Sequence, residues 1–178
     1  MAGGKERVLR RRIKSVQTTK KITKAMELIA ASRIVKSQQR VLAARPYADQ
    51  ITEVIRNLAA AGAGGGAPLL APREQVQTVA TIVVGGDRGL SGAYNSNAIR
   101  MGERNMSAQR RDGKETVLIA VGRKVESYFR FRGYDIADAF TGFLDEPHYE
   151  DARRIADAVV PKFEDGTYDR VDIVYTQF

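Results

Sequence analysis

Gly89-Leu90-Ser91-Gly92-Ala93 lies one residue short of the G-x-S-x-G nucleophile elbow. It follows a β-branched segment, the strand-to-helix context in which such a serine is raised for attack. A triad built on Ser91 needs His148, the one histidine of the chain, as its base, and an acid such as Asp135 or Asp138 to orient it. That combination describes a small α/β hydrolase. Against it, His148 follows Pro147 at an expected helix start, where capping is the commoner role. The same turn carries Gly85, Gly86, Gly89 and Gly92, where a doubly wound fold binds phosphate on helix N-terminal amides. Its spacing gives no G-x-G-x-x-G, no G-x-x-x-x-G-K-[ST] occurs anywhere, and Asp87 would set a carboxylate beside the anion. The glycines read as a tight structural turn. Asp145 and Glu146, adjacent before Pro147, suit dipole complementarity better than the separated acid pair of a glycosidase. No cofactor or metal ligand is expected: cysteine is absent, which excludes thiolate chemistry and disulfides, and a single histidine argues against an imidazole metal site.

The elements that would position this turn alternate. Residues 76–84 are β-branched and nearly continuous in apolar content, as in a strand buried on both faces of a parallel sheet. A helix is expected from Ser91 or Asn95, both acceptable N-caps, to Arg111 before Asp112-Gly113. A strand over 116–121, a helix over 122–131, a strand over 134–139, a helix over 148–163 and a strand over 171–178 follow. This is α/β, a Rossmann-like domain with a mostly parallel sheet. The chain ending directly on a strand raises the expectation of a longer protein.

Preceding that domain is the longest pattern in the chain, a helix expected over 5–58. Leu9, Ile13 and Val16 form one apolar run, Ile22, Met26 and Ile29 a second, Ile51, Ile55 and Leu58 a third, all at spacings of three and four. At 1.5 Å per residue such a helix reaches about 80 Å. Pro46 removes one amide, and a bend dividing the rod into two segments is expected there. Twelve Lys and Arg stand against Glu6 and Glu27 between residues 5 and 40, so the chain's net charge of +8 belongs to the rod. An apolar stripe of this length needs a partner. With no aromatic residue among the charges, an acidic protein cavity is favoured over a nucleic-acid arm, and a solvated coiled-coil face is the third reading.

With 43% hydrophobic and 28% charged residues the composition is ordinary for a globular domain. No apolar run approaches the 18 or so residues of a membrane-spanning helix, and the basic N-terminus lacks the apolar core of a signal peptide. A location inside the cell is expected.

Four stretches carry a resemblance. Arg12-Ile13-Lys14-Ser15-Val16, the run from Lys20-Lys21-Ile22-Thr23-Lys24-Ala25-Met26-Glu27 to Ser32-Arg33, Ala44-Arg45-Pro46-Tyr47, and the run from Asp87-Arg88-Gly89-Leu90 to Asn95 resemble the gamma subunit of the bacterial rotary (F-type) ATP synthase. The resemblance runs from Lys5 to Phe178. It implies a shaft helix over 1–60, half of an antiparallel coiled coil inside a hexamer of alpha and beta subunits, a flexible linker over 61–75, and a Rossmann-like domain over 76–178. A C-terminal shaft helix is expected of the family and absent from this chain. By the same resemblance Lys20, Lys21, Lys24, Met26, Ile29 and Arg33 face the hexamer. Asp87, Arg88, Gly89 and Asn95 belong to the globular domain near its rotor contacts. The implied partners are alpha, beta, epsilon and the c-ring, with no nucleic acid, at the cytoplasmic face of the bacterial plasma membrane. The implied role is to couple proton-driven rotation to ATP synthesis, without catalysis by this subunit. Ser91 stands where many family members have cysteine, an exchange of small for small.

Overall fold

The computed structural model describes residues 2–61, 68–71 and 73–177. Two compact units result, Met1–Ala63 and Gly64–Phe178. Residues 62–67 and 72 of the expected linker, and Phe178 of the expected last strand, lie outside the described residues.

The first unit is one α-helix, α1, Ala2–Ala60. It runs unbroken through Pro46, so the expected division into two segments is not found. The reason is local. Proline withholds only its own bond to the Leu42 carbonyl, and Ala43, Ala44 and Ala48 around it are the best helix formers available. Threonines along the helix return their hydroxyls to the backbone, Thr18 to Lys14 O at 3.0 Å and Thr52 to Ala48 O at 2.7 Å.

The second unit contains β1 (Thr78–Val84), α2 (Tyr94–Arg111), β2 (Glu115–Val121), α3 (Arg123–Phe131), β3 (Asp138–Phe140), α4 (Tyr149–Glu164) and β4 (Arg170–Val174). The strands pair in the order β3-β2-β1-β4, all parallel. Thr78 registers with Glu115 on one side, and Val79 with Arg170 on the other. Strand β1 is central, and Val79, Ala80, Thr81 and Val83 are wholly inaccessible. That explains its apolar run without alternation. One face of the sheet packs Val83, Leu118 and Ala120 against Ile99 and Met106 of α2 and Val125 and Phe129 of α3. The other packs Ala80, Ile82, Ile119 and Val121 against Val159 of α4 and Tyr168.

Three sequence expectations need correction. Helix α2 starts at Tyr94, and neither Ser91 nor Asn95 caps it; the N-cap position is Ala93, without a side-chain bond. Strand β3 is three residues long, not 134–139. Tyr134 and Ile136 instead lie against the Phe129 cluster, with Tyr134 edge-on to the Phe129 ring at 5.0 Å between centroids. Strand β4 ends at Val174.

The buried polar group of β1 has partners. Thr81 Oγ1 lies 3.2 Å from Asn105 Oδ1, and Asn105 Nδ2 donates to Asp172 Oδ2 at 3.0 Å, so a polar chain ties β1, α2 and β4 together.

Candidate functional site

Two regions carry the residues singled out by sequence: the face of α1 and the turn after β1. On α1 every described residue from Gly4 to Ala60 is exposed. Ile22 is 56% accessible, Met26 43% and Ile29 55%, high values for apolar side chains at helical spacing. With 3.6 residues per turn, Met26, Ile29 and Arg33 share the direction of Ile22, whereas Lys20 and Lys24 emerge on the opposite side. The six expected contact residues therefore do not share one face: Met26, Ile29 and Arg33 lie on one side, Lys20 and Lys24 opposite, and Lys21 about 100° from Ile22. Glu27, one of the two acids in this part of the helix, bonds Lys24 at 2.9 Å. Leu9, Ile13 and Val16 point about 140° away from Ile22, Met26 and Ile29. A single straight partner cannot cover both runs, but a surrounding partner or a wrapping helix can.

The turn after β1 is rigid for reasons that can be named. Asp87 accepts three backbone N–H groups, from Arg123 at 2.9 Å, Gly142 at 2.9 Å and Leu144 at 3.1 Å. Burial opposes its ionisation, but the three amide donors outweigh it and hold the carboxyl below its ordinary value. Asn95, in the first turn of α2, reaches back: its Oδ1 accepts the Gly86 N–H at 2.7 Å, and its Nδ2 donates to Arg88 O at 3.1 Å and to Ser91 Oγ at 3.3 Å. Arg88 pairs with Asp145 at 2.6 Å. The glycines serve close approach. A Cβ on Gly85 would stand 2.5 Å from Val125 Cγ2, and Gly122, at φ +102°, faces the Gly85 carbonyl.

The arrangement does not suit a phosphate cradle. Three N–H groups of this turn already have protein acceptors, Gly85 N on Val121 O at 2.9 Å, Tyr94 N on Ser91 O at 3.2 Å and Gly86 N on Asn95 Oδ1, and the Asp87 carboxylate occupies the position beside them. Nor is the triad assembled. The Ser91 hydroxyl meets Asn95, His148 sits at the N-cap of α4 with its backbone N–H on Asp151 Oδ2 at 3.0 Å, and Asp138 is held by Lys162 at 3.1 Å. Among the described residues no hydrogen bond joins Ser91 to His148.

Known proteins match along nearly the whole chain. The family model described as ATP synthase matches residues 5–178. The chain belongs to the ATP synthase gamma-chain family. It is similar to the ATP synthase gamma chain of Parafrankia sp. (strain EAN1pec), 47% identical over 98% of this chain and 60% of that relative. It is also similar to the gamma chain of Mycolicibacterium vanbaalenii, 50% identical over 93% of this chain and 53% of the other. The chain thus spans a little over half the length of these family members. In fold it is like a chain of the Tetrahymena thermophila mitochondrial ATP synthase central stalk and c-ring, with TM-score 0.66, 23% identity, 88% of this chain and 66% of that one covered.

Sequence reasoning read Asp145 as complementing a helix dipole and missed it as the partner of Arg88. It also missed a division of charge within the gamma-chain globular unit. Residues 94–132, which carry α2 and α3, hold nine Lys and Arg against four acids, while residues 133–178, which carry α4, hold eleven acids against four bases. The signal was countable, but only the sheet order and the two cores assign those segments to opposite faces.

Proposed function

We propose that this chain is part of a central-stalk rotor subunit that couples rotation of a membrane c-ring to conformational change at the beta-subunit catalytic sites of an F-type ATP synthase. The observation that supports it is α1: a helix of 59 residues, basic along its first forty and bearing exposed apolar runs, in a chain of the gamma family. In this reading α1 is one strand of an antiparallel coiled coil enclosed by the hexamer, and Lys20, Lys21, Lys24, Met26, Ile29 and Arg33 lie on the stretch that meets it. Basic side chains on long stems favour complementary acidic walls without locking to one of them, since exposed ion pairs are each worth less than about 1 kcal/mol. A rotor needs contacts of that weakness.

The globular unit, through the turn at Asp87, Arg88, Gly89 and Asn95, serves the rotor end, beside epsilon and the c-ring. The subunit has no catalytic site of its own. Among the described residues no helix is long and apolar enough to cross a membrane. Association with the cytoplasmic face of the plasma membrane then comes through the complex, with protons as the coupled ion.

The test is affinity purification of the tagged chain from its source cells followed by mass spectrometry. Stoichiometric recovery of alpha, beta and epsilon subunits is expected. Recovery of the chain without them removes the rotor reading.

A further inference from the structure

The apolar runs at the two ends of α1 keep one register. Leu9, Ile13 and Val16 recur six heptads later as Ile51, Ile55 and Leu58. Along a straight helix that interval turns the second run about 120° from the first, the drift of roughly 20° per heptad that left-handed supercoiling removes. One coiled-coil seam therefore joins both runs, with Ile34 and Val41 between them in the same register. Its other positions are short side chains, Thr23, Ala30, Ser37, Ala44 and Ala48, apart from Lys20 and Glu27. Pro46 falls on the outer side of the helix, where its ring meets no seam partner, and Ile22 and Ile29 lie off the seam. Nothing on α1 covers the stripe: Leu9 is 58% accessible and Ile55 44%.

Reversed, the seam is its own complement. With two copies antiparallel, Leu9 of one stands opposite Ile55 of the other and Ile13 opposite Ile51. Across the middle a larger residue meets a smaller one, Val16 with Ala48, Val41 with Thr23 and Ile34 with Ala30, as knobs-into-holes packing requires. Lys20 and Glu27 meet Ala44 and Ser37, small enough for the longer stems to carry their charges out to solvent. Charge selects the direction. Twelve Lys and Arg oppose two acids between residues 5 and 40, whereas residues 41–60 balance Arg45 and Arg56 against Asp49 and Glu53. Parallel copies lay the basic stretch on itself, and antiparallel copies lay its first half against the neutral one.

We propose that a second copy of this chain covers α1, the two helices pairing antiparallel along the seam from Leu9 to Leu58. The pair is a state of the chain outside the rotor complex, because the rotor reading gives the same helix a different antiparallel strand. It shields a stripe that a helix of this length does not leave in water without a partner.

The experiment is sedimentation equilibrium of the full chain at micromolar concentration, where twice the chain mass of 19.6 kDa is expected. Ile13→Asp combined with Ile51→Asp is expected to weaken the association at least tenfold. Ile22→Asp, off the seam, is expected to leave it unchanged. All three positions are exposed on α1, so the globular unit keeps its thermal midpoint in each variant. The chain has no cysteine, which makes direction readable by oxidation. A mixture of Leu9→Cys and Ile55→Cys chains is expected to form a disulfide that neither variant forms alone. A disulfide within Leu9→Cys alone shows parallel copies and overturns the proposal. So does a chain that stays at its single mass, an association that survives Ile13→Asp with Ile51→Asp, or one that Ile22→Asp abolishes equally. Recovery of alpha and beta subunits with the tagged chain is a separate readout, so a monomeric chain leaves the rotor reading standing, and loss of that reading leaves the pair standing.

Discussion

The Asp87 carboxylate accepts the backbone N–H of Gly142 at 2.9 Å, joining the turn after β1 to the loop after β3 across 55 positions of sequence. The same Oδ2 takes Leu144 N–H, and Oδ1 takes Arg123 N–H. The segments that follow β1, β2 and β3 at the carboxyl ends of the strands are thereby fixed to one side chain. Because these donors hold the folded carboxyl below its ordinary 3.8, the stability it contributes is present above about pH 4 and is lost as pH falls through the depressed value. Asp169, which accepts Thr78 N–H at 2.8 Å and Gln77 N–H at 2.9 Å, is lowered for the same reason and acts in the same direction. Asp87→Asn, which keeps one acceptor oxygen for three amides of which two are exposed, is expected to destabilise the globular unit by about 1 kcal/mol at pH 7. It should also flatten, without abolishing, the acid limb of a urea-midpoint profile between pH 7 and 3. An unchanged limb removes Asp87 from the acid response.

Gly122 tests the close approach between the turns after β1 and β2. Its φ is +102°, and a Cβ there would stand 2.8 Å from the Gly85 carbonyl oxygen, a backbone atom that cannot rotate aside. Gly122→Ala is expected to cost roughly 2–4 kcal/mol from strain and overlap together. Gly113→Ala, also at positive φ but with nothing within 4 Å, carries the strain without the clash and should lose about 1 kcal/mol. Equal losses in urea denaturation contradict this account.

On the helix the expectation is reversed. Ile29 is 55% accessible, so Ile29→Ser is expected to change the thermal midpoint of the globular unit within the roughly 0.5 kcal/mol typical of surface substitutions. Recovery of alpha and beta subunits with the tagged chain should fall several-fold. Lys20→Glu with Lys24→Glu should do the same from the opposite side of α1, with the loss largest at low salt, where exposed charges are least screened. Recovery unaffected by all three substitutions argues that α1 does not contact the hexamer.

Ser91→Ala separates the hydrolase from the subunit. The Ser91 hydroxyl accepts one bond from Asn95 at 3.3 Å and reaches no base, so its removal should leave assembly unchanged and stability within about 1 kcal/mol. Ester hydrolysis by the wild-type chain that disappears in Ser91→Ala restores the enzyme reading.

Much of this protein was legible before any coordinates. Long-range periodicity marked α1, and the change from period 3.6 to continuous β-branched runs located β1 and β2 within two residues of their observed starts, because both patterns are written in neighbouring positions. The motifs from Arg12 to Asn95 pointed to the family. The tertiary structure decided what depends on residues distant in the chain. Strand order put β4 beside β1, dividing the basic and acidic segments between two faces. Packing on Phe129 shortened β3, and continuity of α1 through Pro46 was settled by a helix whose other bonds are intact. Asn95 looked like a cap and proved to be a brace, while Asp87, suspect as a neighbour of phosphate, proved to take the place of an anion itself. Hydrogen-bond partners lying 36, 55 and 57 positions away leave no trace in local spacing, and only the folded sheet brings their amides to one carboxylate.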